Sequence, residues 1–199
     1  MRILVIGAEG TVGRAAAAAL APRHEIVAAG RASGSVRVDI ADSISIRKMF
    51  EATGMLDAVV CCAGSAVFAP LRKMTEAEFL RGLSNKLMGQ VNLVLIGQAF
   101  LRDGGSFTLT SGSLDRYVVR QGSNAATINA GLTGFVKAAA IDLGRGQRIN
   151  LVSPTLLEES AARLANLLPG HEAVSSARVG LAYVKSVEGG LTGEVIRVG

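Results

Sequence analysis

The chain has 199 residues, of which 49% are hydrophobic and 19% charged, and its formal net charge is +5. This length and composition exclude a disordered chain and predict one globular domain, residues 1–199. No apolar run reaches the roughly 18 residues of a membrane span, and the basic residues form no cluster with interleaved aromatic side chains, so neither a membrane nor a nucleic acid is expected as a partner.

Short β-branched segments alternate with helical patterns along the whole chain. Strands are predicted at Ile3–Ile6, Glu25–Ala29, Val36–Val38, Leu56–Cys62, Ser106–Thr110, Arg148–Val152 and Glu194–Val198. Helices are predicted at Val12–Leu20, Ser43–Thr53, Thr75–Leu101 (which need not be continuous), Ser123–Leu143, Leu156–Leu167 and Val174–Ser186. Most of the strands are continuous hydrophobic runs, as is typical of a parallel sheet covered on both faces. The chain is therefore predicted to be α/β: a single-domain Rossmann fold with a doubly wound parallel sheet of about seven strands and helices on both faces.

The first predicted strand runs directly into a glycine-rich turn. Gly7, Gly10 and Gly13 follow the strand with the spacing G-x-x-G-x-x-G and lead into the first helix. In this context Gly7 permits a sharp turn, Gly10 lets backbone amides approach a diphosphate, and Gly13 allows close packing of helix on strand. The amino end of the helix, at Thr11 and Val12, adds partial positive charge. The sequence therefore predicts a dinucleotide site at this turn.

The ends of the second and third strands bear on which dinucleotide is bound. Arg31 follows the second strand, with Ser33 nearby and no acid. A guanidinium can bind a 2′-phosphate through two hydrogen bonds, so NADP(H) is expected rather than NAD(H), unless Arg31 is simply an exposed arginine. Glu9, in the glycine-rich turn, counts mildly against a second phosphate. Asp39 could accept from the adenine amino group, with Ile40 packed on the ring, or could equally serve as a turn or helix-cap aspartate.

Eight segments, in this order, resemble the short-chain dehydrogenase/reductase family over essentially the whole chain. They are GAEGTVG, the strand-end GR, VDI, CCAG, GSFTLTSGS, SNAATINAGLTGF, RINLVSP and TGEVIRVG. The family usually has Asn-Asn-Ala-Gly after the fourth strand, and CCAG keeps only Ala63 and Gly64 of that turn. The resemblance implies an NADP(H)-dependent oxidoreductase acting on a small carbonyl or hydroxyl compound, with Pro154 close to the nicotinamide.

The catalytic part of the resemblance is incomplete. In the family a Tyr donates a proton to the carbonyl oxygen, and a Lys four residues later binds the ribose and lowers the pKa of the Tyr. Ala125 and Asn129 occupy these two positions here, and neither can do the same work, although Asn129 is still expected to lie near the cofactor. The family's serine falls on Gly112, between Ser111 and Ser113.

The missing proton donor leaves several replacements open. The family's Asn on the long middle helix falls on Asn85 or Lys86, and the spacing to the following glycine favours Lys86. If Lys86 points inward, its ammonium could contact the ribose or a substrate oxygen; otherwise it is a solvated helical lysine. Tyr117 could reach a substrate if its loop folded inward, or could pack locally. Ser111 is the third candidate, and His171 is a weaker one.

Two functions are compatible with these residues: an oxidoreductase with altered chemistry, or a catalytically silent NADP(H)-binding sensor or regulatory protein. The adjacent Cys61 and Cys62 are expected to be buried thiols rather than a redox pair, because strand ends favour small buried side chains. No metal site is predicted. The strand-like opening without a leader suggests a cytoplasmic protein. Because most relatives are dimers or tetramers, and AGLTGFVKAAA would allow close helix contacts, a homodimer or homotetramer is expected.

Overall fold

Seven parallel strands form the central sheet of the computed structural model, which describes residues 1–199. They are β1 (Arg2–Ile6), β2 (Glu25–Gly30), β3 (Val36–Arg37), β4 (Leu56–Cys61), β5 (Leu101–Thr110), β6 (Arg148–Pro154) and β9 (Val195–Val198); β7 (Leu156–Leu157) and β8 (Ala173–Val174) form a separate ribbon. The order in the sheet is β3-β2-β1-β4-β5-β6-β9, so the direction of winding reverses between β1 and β4. The predicted doubly wound Rossmann fold is confirmed, and its ligand crevice is expected at this reversal.

Helices cover both faces of the sheet. They are α1 (Thr11–Leu20), α2 (Ser43–Thr53), α3 (Glu76–Gly82), α4 (Gly89–Gly97), α5 (Ser123–Asp142), α6 (Glu158–Leu164) and α7 (Ser176–Glu188). Ile3 and Val5 of β1 lie in the apolar core beneath α1 and α7, whereas Leu4 and Ile6 lie in the core beneath α2, α4 and α5. Alternate strand residues point to opposite faces, so a strand covered on both sides is apolar throughout. None of the helices is both long and apolar enough to cross a bilayer.

The helical region predicted at Thr75–Leu101 differs from the structure in two ways: it contains a π-helical turn, and it ends before Leu101. Leu83–Met88 forms a π-helical turn between α3 and α4. The last helical residue is Gly97, and Leu101 instead begins β5, where it pairs with Leu56 of β4. A π-helical turn carries more residues than an α-helical one, so it rotates the side chains that follow it.

The predicted helices at Leu156–Leu167 and Val174–Ser186 both begin later in the structure, because their first residues pair with each other. Leu156 and Leu157 form a parallel ribbon with Ala173 and Val174. Two adjacent leucines fit a short strand as well as the start of a helix, so the hydrophobic periodicity alone could not distinguish a strand from a helix here. The ribbon anchors both ends of the segment that contains α6 next to the carboxyl end of β6.

Candidate functional site

The glycine-rich turn lies at the carboxyl edge of the sheet, between β1 and α1. Gly7 has a φ of +80°, a backbone conformation that strains any residue with a side chain. A Cβ atom on Gly13 would lie 1.9 Å from the carbonyl oxygen of Gly7, so only glycine allows this approach. Gly10 caps α1 without any side-chain hydrogen bond. The N–H groups of the first turn are therefore available to an anion.

A first cavity of about 280 Å³ lies beside this turn, over the ends of β2 and β3. Arg31 lines it, is exposed, and makes no ion pair or hydrogen bond with the protein. Ile40 supplies a buried apolar wall. Asp39 also lines the cavity while its carboxylate accepts from the N–H of Ala41 (3.0 Å). Asp39 is therefore a turn residue that lines a ligand-sized space.

A second cavity of about 400 Å³ continues from the first beyond Ser65, which lines both. The predicted cofactor residues divide between the two spaces. Gly7, Arg31, Asp39, Ile40, Ala63 and Gly64 line the first, whereas Val12, Lys86, Asn129 and Pro154 line the second. Glu9, Gly10, Thr11, Gly13 and Ser33 line neither. The structure thus gathers ten of the predicted residues along one continuous groove at the carboxyl edge of the sheet.

Lys86 enters the second cavity from the π-helical turn. Its Nζ donates to the carbonyl oxygen of Ser111 (3.1 Å) and to Oδ1 of Asn129 (3.4 Å). Asn85 turns toward the loop after β4 instead, where its Oδ1 accepts from the N–H of Ser65 (2.8 Å). Of the two alternatives for the family's Asn position, the structure therefore brings Lys86 into the second cavity, whereas Asn85 lines the first. Removal from water lowers the pKa of Lys86 to about 8, because desolvation penalises the charged form.

In the predicted alignment with the family pattern, the lysine and the asparagine each lie on the other's helix. Here the ammonium comes from the long middle helix and the amide comes from α5. Gly64 makes the exchange possible: its φ is +119°, and a Cβ atom there would lie 2.7 Å from Cγ of Lys86. The stem of Lys86 thus passes directly over the backbone of the loop after β4. A positive charge is kept at this end of the groove, although it comes from the π-helical turn before α4 instead of from α5.

Small residues leave space around the ammonium. Ala125 and Gly112, at the family's Tyr and Ser positions, both line the second cavity. Ser111 also lines this cavity, and its hydroxyl oxygen is buried without a hydrogen-bond partner in the protein. A buried hydroxyl without a partner costs about 1–3 kcal/mol, so Ser111 adds an unsatisfied polar group beside the cavity. The site therefore has space for an oxygen-bearing group next to Lys86.

Two buried amide side chains hold the frame of this site. Gln90 on α4 donates to the carbonyl of Thr110 (2.9 Å) and accepts from its N–H (2.8 Å), which fixes the end of β5. Asn124 on α5 accepts from the N–H of Val67 (2.9 Å) and donates to the carbonyl of Phe79 (2.9 Å). Because both are fully buried, their hydrogen bonds persist away from competing water.

Neither of the two tyrosines lies in the second cavity. Tyr117 is 57% exposed and makes an edge contact with the ring of His171, in a third cavity that shares only Thr155 with the second. Tyr183 is fully buried, and its hydroxyl lies 2.7 Å from that of Thr110. Burial raises the pKa of Tyr183 well above its ordinary value, so it holds its proton. The catalytic role predicted for Tyr117 therefore gains no support from its position.

The paired cysteines lie at the end of β4. Cys61 is buried and Cys62 half-buried, and both are free thiols. Burial raises the pKa of Cys61 to about 12 and that of Cys62 to about 11. Since the thiolate is the reactive form, both side chains are expected to be inert at neutral pH.

Arg163 on α6 was not among the residues predicted from the sequence. It lines the second cavity together with Ser160 and Leu164 of α6 and with Leu167, which follows the helix. Arg163 and Leu164 lie three and four residues after Ser160, so these three are neighbours on one face of α6. That spacing was the available signal, but it does not reveal which part of the protein the face covers.

Comparison with known proteins places these features in context. Residues 7–185 match the model of the family described as enoyl-(acyl carrier protein) reductase. The hydroxynaphthalene reductase-like protein Arp2 of Metarhizium brunneum is 27% identical over 141 residues, which are 65% of this chain and 51% of that protein. Versicolorin reductase stcU of Emericella nidulans is 29% identical over 65% of this chain and 52% of its own length. The chain spans about half the length of the curated relatives it matches.

Two solved structures resemble the whole chain. The protein lin1944 from Listeria innocua is 47% identical with a TM-score of 0.99, and the match covers 100% of both chains. A small-chain dehydrogenase solved in complex with NADPH is 28% identical with a TM-score of 0.87, covering 100% of this chain and 96% of the other.

Proposed function

Because the chain belongs to the short-chain dehydrogenase/reductase family, we propose that it is an NADP(H)-dependent oxidoreductase acting on a small carbonyl or hydroxyl compound. The observation that carries the proposal is Lys86. Its ammonium stands at the end of the dinucleotide groove, in a cavity large enough for a small substrate. A group that can hold and release a proton is thus present at this end of the groove even though Ala125 replaces the phenol.

The residues present fit NADP(H) along the length of the groove. The uncapped amino end of α1, beside Gly7, suits a diphosphate. Arg31 supplies an unpaired guanidinium for a 2′-phosphate, and Ile40 supplies an apolar wall for the adenine. The NADPH complex of the related small-chain dehydrogenase supports the same choice. When bound, the nicotinamide gives a hydride to a carbonyl carbon or accepts one from an alcohol.

Lys86 is proposed to supply the proton in reduction. Asn129 and the carbonyl of Ser111 are uncharged acceptors that orient Nζ without neutralising it. A proton can pass from Nζ to a substrate oxygen as negative charge develops there, and a pKa of about 8 is well matched to this role near neutral pH. Leu156, Leu164 and other apolar residues around the cavity reduce its contact with water.

The proposal is tested by cofactor binding and turnover. We expect NADPH fluorescence to change on titration with the protein, with a micromolar dissociation constant, and NADPH absorbance to fall when small aldehydes, ketones and oxo acids are added. NADPH binding without turnover of any compound in a broad carbonyl panel would contradict an oxidoreductase and favour a silent cofactor-binding protein. Absence of NADPH binding would contradict both.

Arg31→Gln is expected to weaken NADPH binding by about 10-fold or more while leaving NADH binding unchanged. A charge-assisted hydrogen bond to a phosphate contributes about 1.5–3 kcal/mol, and NADH has no 2′-phosphate to lose. Both dissociation constants are read from fluorescence titrations. The matched control is Arg47→Gln, an exposed arginine on α2 that does not line the groove. An unchanged ratio of the two affinities in Arg31→Gln would remove Arg31 from cofactor selection.

A further inference from the structure

The second cavity carries positive charge that the protein does not neutralise. Among its 20 lining residues only Lys86 and Arg163 are charged, and none is acidic. Lys86 has two uncharged partners. Arg163 takes part in none of the ion pairs or side-chain hydrogen bonds of the protein, although Glu159 lies one helical turn before it. The carboxylate of Glu159 is engaged elsewhere, since it accepts from the hydroxyl of Ser176 (2.5 Å).

The position of Arg163 on α6 directs it to the cavity. It follows Ser160 by three residues, and Ser160 is buried and lines the same space. Leu164 lies next to them on this face, whereas Glu158 and Glu159 do not line the cavity. Residues three and four apart are neighbours on a helix surface, so the guanidinium shares the face that covers the cavity. Arg163 is itself exposed, so its charge lies where the cavity opens to solvent, beside Leu164, and an entering carboxylate can reach it.

Resting on the proposed function, we infer that this cavity selects a small substrate bearing a carboxylate or an equivalent acid group, and that Arg163 recognises this anion. The planar guanidinium matches a carboxylate through two parallel hydrogen bonds. The leucines contact a short apolar body, and the reactive oxygen lies toward Lys86. Arg163 is accordingly a specificity residue, and the substrate class is that of small oxo acids or hydroxy acids.

The test compares an acid with an uncharged molecule of the same shape. Pentanoate and pentanamide have no keto group to reduce, so their binding is measured by calorimetry without turnover, with and without NADPH. We expect the wild type to bind pentanoate at least about 10-fold more tightly than pentanamide. Arg163→Gln should abolish this preference while leaving the dissociation constant of NADPH unchanged. The matched control is Arg178→Gln, an exposed arginine on α7 outside the cavity, which should keep the preference.

Three results would overturn the inference: equal binding of the two compounds by the wild type, a preference that survives Arg163→Gln, or a loss of NADPH affinity in that variant. The last result would assign the guanidinium to the diphosphate of the cofactor instead. A wild type that does not bind NADPH would contradict the proposed function alone, since the preference for pentanoate can still be measured on the protein without cofactor. Arg163→Lys, which keeps the charge but loses the two parallel hydrogen bonds, should retain only part of the preference.

Discussion

Lys86→Met is expected to lower kcat/KM for NADPH-dependent reduction by roughly 10²–10⁴, the usual contribution of a positioned general acid. Met has a similar length and no proton to donate, so the cavity keeps its shape while Asn129 and Ser111 lose their shared donor. The measurement is steady-state kinetics with the best carbonyl compound of the panel, together with the dissociation constant of NADPH. Lys137→Met serves as the control, because Lys137 is an exposed lysine of α5 and should not affect the rate.

The pH dependence of the same reaction gives a second test of Lys86. Its pKa of about 8 means that reduction should slow as the pH rises through 8, because only the protonated amine donates. Lys86→Met should lose this decline. An unchanged rate in Lys86→Met, or a wild-type rate that stays level up to pH 10, would show that another group supplies the proton.

The stability of the fold should also depend on pH through Lys86, but it should increase with pH where the reduction rate falls. The pKa of Lys86 in the folded state lies below the ordinary value of 10.5, so between about pH 8 and 10.5 the unfolded chain binds more protons than the folded protein. The contribution of Lys86 to the free energy of unfolding therefore increases with pH over this range. Below pH 8 the lysine is charged in both states and its desolvation opposes folding. Lys86→Met should therefore be at least as stable as the wild type at pH 7, and its free energy of unfolding should lack the increase between about pH 8 and 10.5. Urea unfolding of both proteins at several pH values measures this difference. Cys61 and Cys62 also make stability depend on pH, but their contribution is nearly the same in both proteins and largely cancels when the two are compared.

Gly13→Ala is expected to weaken NADPH binding by more than about 100-fold, because the added Cβ would displace the phosphate-binding turn itself. That atom would lie 1.9 Å from the carbonyl oxygen and 2.6 Å from the carbonyl carbon of Gly7, and these backbone atoms cannot rotate away as a side chain would. The strain should also destabilise the fold by about 1–3 kcal/mol. Fluorescence titration and thermal unfolding measure the two effects.

Gly134→Ala is the matched control for this substitution. Gly134 is an exposed glycine of α5, and a Cβ atom there would meet no other atom within 4 Å. Because alanine favours the helix over glycine by about 0.8–1.0 kcal/mol, this variant should be slightly more stable and should bind NADPH normally. Wild-type NADPH affinity in Gly13→Ala would contradict the role given to the tight packing of α1 on β1.

The strands and the glycine-rich turn could be predicted from local sequence because each has a local cause. β1 is apolar at every position because both of its faces are covered, and this leaves an uninterrupted run in the sequence. The spacing of Gly7 and Gly13 is set by the tight turn between β1 and α1, which brings Gly13 against the backbone of Gly7. The start of α6 was wrong by two residues because Leu156 and Leu157 suit a strand as well as a helix, and their pairing with β8 decided between them.

The order of apolar runs and glycines along the chain was enough to predict the fold and the glycine-rich turn between β1 and α1. Which side chains surround the second cavity was decided only in three dimensions. Lys86 and Asn129 are 43 positions apart along the chain, yet a π-helical turn and Gly64 bring the ammonium to the amide, while Asn85 turns away. Arg163 lines the same cavity because α6 packs beside the ribbon of β7 and β8. Such contacts depend on the rotation of each helix about its own axis, and packing sets that rotation rather than the order of residues.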